Sequence, residues 1–198
     1  MSTPDIRPNL AKCIPRHNCR LCYVYESIDR FIKTRLRTSS DDSVSVVLFD
    51  DTATLALERQ EMKEDIVDGL LQYDAGATTS YSSGLTMAEE VICRGSNDPN
   101  VEKKKPIIIF LSDGGNNDGQ DPLFFVNKLK KTEPKLILHT IMYGTDPAAF
   151  ILEKMAEIGN GTFQLSLDEL QLARSFENLA ISLEPNVVSV IPVSRSNP

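Results

Sequence analysis

The chain has 198 residues, of which 41% are hydrophobic and 25% are charged, and its formal net charge is −7. These values suit one globular domain with a substantial core, and the acidic balance argues against a nucleic-acid partner. No apolar run is long enough to span a membrane, and residues 1–10 lack the apolar segment of a secretory signal. We therefore expect a cytoplasmic protein, or an extracellular one if the natural N-terminus is truncated.

Residues 1–21 show no clear helical or strand pattern, and we expect an irregular N-terminal segment there. Four candidate zinc ligands lie close together in the sequence at Cys13, His17, Cys19 and Cys22. Their spacing is cramped, and no distant second pair is present to complete a tetrahedral site. The sequence therefore favours reduced thiols and no bound zinc.

The segment 22–184 alternates between helical and strand patterns. A helix is expected at residues 23–37, with an apolar face formed by Val24, Ile28, Phe31, Ile32 and Leu36. Further apolar helical faces lie within residues 62–71, 85–92, 151–158 and 167–183. Strands are expected at Val44–Phe49, Thr52–Leu57, Ile107–Leu111, Leu136–Met142 and Thr162–Leu165.

The strands at 44–49, 107–111 and 136–142 are nearly continuous in apolar residues, which is typical of parallel strands buried on both faces. Thr52–Leu57 alternates in polarity, which indicates an antiparallel edge strand. The predicted fold is therefore α/β, a doubly wound and mostly parallel sheet with helices on both faces. Residues 185–198 are expected to form a C-terminal tail.

Two loops contain candidate ligands. Asp113 directly follows the strand Ile107–Leu111, where ligands bind in open parallel sheets, and it begins a glycine-rich loop with Gly114. The second loop, 76–85, is rich in hydroxyl groups and leads into a helix. Carboxylate and hydroxyl oxygens suit Mg²⁺, although threonine and serine also commonly cap helices.

The order of these motifs resembles the von Willebrand factor type A family: a Val-Ser-Val-Val-Leu-Phe strand, a Gly-x-Thr loop and a strand ending in Leu-Ser-Asp-Gly. The resemblance implies a divalent cation at the top of the sheet. In the family, this cation is held by an Asp-x-Ser-x-Ser motif, a threonine and an aspartate. The resemblance matches the threonine to Thr78 and the aspartate to Asp113 of this chain. The supporting loop residues would be Ser112, Gly114, Thr79, Ser80 and Asp118.

The sequence departs from the family pattern before the first helix. Neither an Asp-x-Ser-x-Ser motif nor a central strand precedes residues 23–37, so three of the five implied side-chain ligands are absent there. We therefore expect weak or absent Mg²⁺ binding, unless Asp118, Asp50 or a carboxylate of a partner substitutes.

The expected function is protein binding through the loops at the carboxyl edge of the sheet, with an incomplete metal-ion-dependent adhesion site. The partner could contribute a carboxylate, and the chain could be part of a larger multidomain protein. No nucleophile elbow or phosphate-binding loop is present, so we expect no enzymatic activity. The alternatives are a metal-assisted hydrolase that uses Asp113 and Asp118, or a degenerate structural module without a ligand.

Overall fold

The computed structural model describes residues 20–38, 41–74, 76, 78–96, 104–147 and 149–195. Within them, one sheet consists of β1 (Ser43–Phe49), β2 (Ala53–Glu61), β3 (Lys105–Ser112), β4 (Ile137–Tyr143), β5 (Asn160–Ser166) and β6 (Val187–Ser194). The α-helices of the described residues are α1 (Arg20–Thr38), α2 (Tyr81–Ser96), α3 (Pro122–Thr132), α4 (Ala149–Ile158) and α5 (Glu169–Ser182). The predicted helix within residues 62–71 is only a short 3-10 helix, Ile66–Leu70.

The strands follow the order β2-β1-β6-β3-β4-β5 across the sheet. Every neighbouring pair is parallel except β1 and β2, and β2 lies at an edge. The expected doubly wound, mostly parallel sheet is therefore confirmed, as is the antiparallel edge strand. Helices α1 and α5 cover one face, and α2, α3 and α4 cover the other, so each face buries its own hydrophobic layer.

The last strand, β6, lies at the centre of the sheet, between β1 and β3. The expectation of a C-terminal tail at residues 185–198 is therefore wrong, because all eight residues of β6 are buried. Ser189 and Pro192 interrupt its apolar pattern, and proline is uncommon in central strands. The central position, which the family pattern gives to a strand before the first helix, is filled here by β6, which follows the last helix.

A buried ion pair fixes the segment that leads into β6. The guanidinium of Arg35, only 1% exposed, contacts the carboxylate of Asp42 at 2.5 Å and donates hydrogen bonds to the carbonyls of Ala180, Leu183 and Glu184. The other oxygen of Asp42 accepts from the backbone N–H of Val187, at the start of β6. Helix α1 and the entry to the central strand are therefore held by one polar network, which the sequence did not predict.

The cysteines differ from the expectation of four reduced thiols. Cys22 is buried on α1 and is disulfide-bonded, whereas Cys93 is a free thiol. The other members of the candidate zinc set, Cys13, His17 and Cys19, lie outside the described residues, as does most of the predicted segment 1–21. Helix α1 itself begins at Arg20, two residues before the predicted start of the domain.

Candidate functional site

Three neighbouring strands, β1, β6 and β3, end side by side at the carboxyl edge of the sheet. The residues that follow them are Asp50, Arg195 and Asp113. Two loops are attached to this edge by backbone hydrogen bonds. Gly76 N–H donates to the carbonyl of Arg195 at 2.6 Å, and Asn117 N–H donates to the carbonyl of Thr79 at 2.8 Å. The loops chosen from the sequence therefore do meet, around the end of β6.

The hydroxyl groups nearest the end of the central strand belong to Thr79 and Ser194. Their oxygens are 3.4 Å apart, and both side chains are buried. Thr78, which the sequence pattern matched to the family's threonine ligand, is exposed. The sequence pattern pointed to Thr78, the first of two adjacent threonines, whereas in the structure Thr79 makes the contact with β6.

Asp113 lies at the end of β3 with its side chain 9% exposed, 3.7 Å from the guanidinium of Arg20. Arg20 begins α1, remains 39% exposed and lies over the ring of Tyr143 at 5.6 Å. The sequence did not predict this cationic neighbour, because Arg20 is more than ninety positions from Asp113 in the chain. The carboxylate therefore has a fixed countercharge from the protein itself.

Asp50, at the end of β1, is paired with Arg195 at 2.5 Å, and the two side chains are 12% and 15% exposed. Burial alone would raise the pKa of Asp50, but hydrogen bonds from Thr52 and the charge of Arg195 lower it overall. Gly76 packs directly on this carboxylate, since a Cβ there would lie 2.3 Å from an Asp50 oxygen. Glycine is therefore needed for the loop to approach.

Asp118 closes the N-terminus of α2. One oxygen accepts from the Ser80 hydroxyl at 2.8 Å and the Ser82 N–H at 3.1 Å, and the other accepts from Asn116 Nδ2 and the Gln120 N–H. Burial opposes ionisation, but these donors lower the pKa of Asp118 to about 2. Both oxygens are occupied within the protein, so Asp118 acts as a helix cap.

The remaining supporting residues hold the loop after β3. The Ser112 hydroxyl donates to the carbonyl of Gly114 at 2.8 Å, and the buried Tyr81 hydroxyl donates to the same carbonyl at 2.7 Å. Burial raises the pKa of Tyr81, so its phenol stays protonated and serves as a donor. Tyr81 was not among the predicted site residues, because an aromatic residue on a helix usually indicates core packing.

The described side chains do not fit a divalent cation. Thr79 and Ser194 are neutral ligands, and the carboxylates of Asp50 and Asp113 each face a guanidinium group. Among the described residues, no three histidine, cysteine, aspartate or glutamate side chains are grouped as a metal site. Hard cations need several charged or strongly polar oxygens to replace their water shell, which this arrangement does not supply.

Comparison with known proteins gives the family and the fold. A profile of the von Willebrand factor type A domain matches residues 16–116. An uncharacterized protein of Synechocystis sp. is 23% identical over 145 residues, which cover 72% of this chain and 33% of that protein. The chain therefore spans about a third of the length of this curated relative.

Several solved structures share the fold. Proximal thread matrix protein 1 from the mussel byssus, with zinc in its adhesion-site motif, is 23% identical with a TM-score of 0.63, covering 80% of this chain and 42% of that one. A von Willebrand factor type A protein from Catenulispora acidiphila is 14% identical with a TM-score of 0.60, covering 79% and 37%. BatB from Bacteroides thetaiotaomicron is 13% identical with a TM-score of 0.59, covering 80% and 84%.

Some structural neighbours are described as membrane proteins, including an aerotolerance-related protein from Bacteroides fragilis. In the part of this chain that the structure describes, no helix is both long and apolar enough to cross a bilayer.

Proposed function

Since this chain belongs to the von Willebrand factor type A domain family, whose members are generally protein-interaction modules, we propose that it binds another protein through the carboxyl edge of its sheet. The binding surface consists of the loops after β1, β3 and β6 together with the loop that leads into α2. These loops meet around Ser194 and Thr79 and are tied together by backbone hydrogen bonds. A surface that is already ordered loses little conformational entropy on binding.

The observation that supports this proposal most directly is the position of Arg20. Its side chain is 39% exposed at the carboxyl edge, and its guanidinium lies beside Asp113 and over the ring of Tyr143. A carboxylate of the partner could form a charge-assisted hydrogen-bonded pair with the guanidinium of Arg20. The expected recognition of a partner carboxylate can therefore be met by Arg20 without a bridging metal.

We also propose that the domain is not an enzyme. The hydrolase alternative requires Asp113 and Asp118 to hold a metal or a water molecule. Asp118 instead accepts four hydrogen bonds from the protein, and Asp113 lies beside Arg20. This leaves the hydrolase without the free carboxylate pair on which it depended.

The cellular context follows from two observations. Because the chain spans about a third of its curated relative, a role within a larger multidomain protein is a reasonable proposal. The disulfide at Cys22 favours an oxidising compartment over the cytoplasm expected from the sequence, since structural disulfides are rare in the cytosol.

The test compares edge variants in a capture experiment. The immobilised chain is incubated with an extract of its source organism, and retained proteins are quantified by mass spectrometry. Arg20→Ala should lose the specific partner, because it removes the exposed guanidinium. Lys105→Ala should retain the partner. Lys105 begins β3, at the end of the strands opposite the carboxyl edge, and makes an exposed ion pair with Glu184.

Equal capture by the wild type and both variants would contradict binding at the carboxyl edge. Retention of no protein by the wild type would favour the alternative of a structural module without a ligand. Both arms are run in EDTA and in Mg²⁺, so the capture itself reports whether a cation contributes.

A further inference from the structure

The two carboxylates beside the central strand each have an arginine of their own. Asp50 follows β1 and pairs with Arg195, and Asp113 follows β3 and pairs with Arg20. We propose that these two guanidinium groups take the place of the divalent cation around which this family's site is built. The carboxyl edge is then charge-balanced without metal, and its recognition surface is independent of divalent cations.

Arg195 is placed by the backbone of the central strand. Its N–H donates to the carbonyl of Phe49 at 2.8 Å, and its own carbonyl accepts from the N–H of Gly76 at 2.6 Å. These bonds hold the residue between β1 and the loop before α2. The side chain is then directed onto the carboxylate of Asp50, where the pair is largely shielded from water. Removing only one partner of a buried charge pair of this kind strongly destabilises the folded protein.

Arg20 supplies the second positive charge from a different element. It is the first residue of α1, and its guanidinium contacts Asp113 at 3.7 Å while lying over the Tyr143 ring. Gly144 leaves space for it, since a Cβ at that position would lie 3.3 Å from an Arg20 nitrogen. The side chain is thus packed on two sides and held near Asp113.

The charges of Arg20 and Arg195 oppose the binding of a divalent cation at the carboxyl edge. A divalent cation would bring two positive charges to the two carboxylates, and the two guanidinium groups already bring the same number. Mg²⁺ entering this edge would be repelled by both arginines, and the neutral hydroxyls of Thr79 and Ser194 would offset little of its dehydration. The arrangement therefore favours the metal-free state over the metal-bound state.

Calorimetric titration of the whole chain with Mg²⁺, Mn²⁺ and Zn²⁺ tests the proposal. The wild type should show no saturable binding at millimolar concentrations. The double variant Arg20→Gln/Arg195→Gln removes both positive charges but keeps amide donors for the carboxylates. It should bind Mn²⁺ saturably where the wild type does not saturate, which corresponds to a gain in affinity of at least about tenfold.

The matched control is Arg94→Gln/Lys105→Gln, which removes two charges from exposed ion pairs elsewhere and should behave as the wild type. If the double edge variant does not fold, Arg20→Gln alone, at a partly exposed position, should still increase Mn²⁺ binding. Saturable Mg²⁺ binding by the wild type would overturn the proposal, as would edge variants with no gain in binding. Because no partner is needed, this test can fail independently of the proposed function.

Discussion

Asp118 is predicted from the sequence as a supporting residue, and in the structure it caps the N-terminus of α2 together with Ser80, whose hydroxyl accepts from the Ser83 N–H. Four donors surround its carboxylate, and two of them are backbone N–H groups at or near element termini. A capping carboxylate satisfies N–H groups that have no partner within the helix, and it interacts favourably with the positive end of the helix dipole. The role of Asp118 is therefore to order the two loops at the carboxyl edge of the sheet.

Replacement of Asp118 by alanine should lower the free energy of unfolding by about 0.5–2 kcal/mol, the range measured for lost helix caps. The folded pKa of Asp118, about 2, lies below its ordinary value of 3.8. The stabilising contribution is therefore complete above pH 3.8 and is lost as the pH falls towards about 2. Urea denaturation from pH 7 to pH 2 measures both effects, and Asp118→Asn separates charge from shape. Identical pH profiles for the wild type and Asp118→Ala would refute this role.

The disulfide at Cys22 leads to a prediction about which cysteines react with a thiol reagent. In denaturant without reductant, a maleimide should label Cys93 but not Cys22, because Cys22 is disulfide-bonded. After reduction, both should be labelled, and peptide mapping by mass spectrometry distinguishes them. Labelling of Cys22 before reduction would show that the thiol is free, and it would remove the argument for an oxidising compartment.

Among the secondary-structure elements, α1, α5 and β6 are linked by the polar network of Arg35 and Asp42. Arg35 extends from α1 to the carbonyls at the end of α5, and Asp42 links the same guanidinium to the first N–H of β6. These contacts bridge segments more than 140 residues apart in the chain. The network therefore sets where the chain turns from the last helix into the central strand.

Arg35→Ala should destabilise the protein by about 3–5 kcal/mol, because Asp42 would remain buried without its countercharge. Arg30→Ala is the matched control on the same helix. Its pairs with Glu26 and Glu177 are partly exposed, so a loss of about 1 kcal/mol or less is expected. Denaturant titration of both variants gives the comparison, and equal losses would mean that the Arg35 network contributes no more than a surface pair.

Elements with one dominant pattern could be predicted from the sequence. Continuous apolar runs identified β1, β3 and β4, and alternation identified β2. β6 was missed because Ser189 and Pro192 interrupt its pattern, although its environment is as buried as that of β1. At the site, the loops around Asp113 and Thr79 were found. The contributions of Arg20 and Arg195 were not predicted. Each arginine pairs with an aspartate that is distant in the sequence, and such a pair leaves no local sequence pattern.

Across the whole sheet, the central strand is the last element in sequence order among the described residues. In the family pattern, the central strand precedes the first helix and leads directly into metal-binding residues. Here β6 fills that position from the C-terminal side and ends in Ser194 and Arg195. The same topological change therefore completes the sheet and brings a guanidinium group to its carboxyl edge.

Removal of β6 would divide the sheet into β2–β1 and β3–β4–β5, because β1 and β3 are joined only through it. Burial of Val187, Val190, Ile191 and Val193 is complete, and each such side chain contributes about 1.5–3 kcal/mol. Together these contributions approach the whole stability of a typical domain, about 5–15 kcal/mol. The C-terminal residues should therefore be indispensable for folding.

Equilibrium unfolding of a chain truncated after Glu184, measured by circular dichroism beside the full-length chain, tests this most directly. We expect a cooperative urea transition for the full-length chain and none for the truncated chain, whose β1 and β3 would each expose an unpaired inner edge. A cooperative transition in the truncated chain would contradict the conclusion that β6 is indispensable for folding.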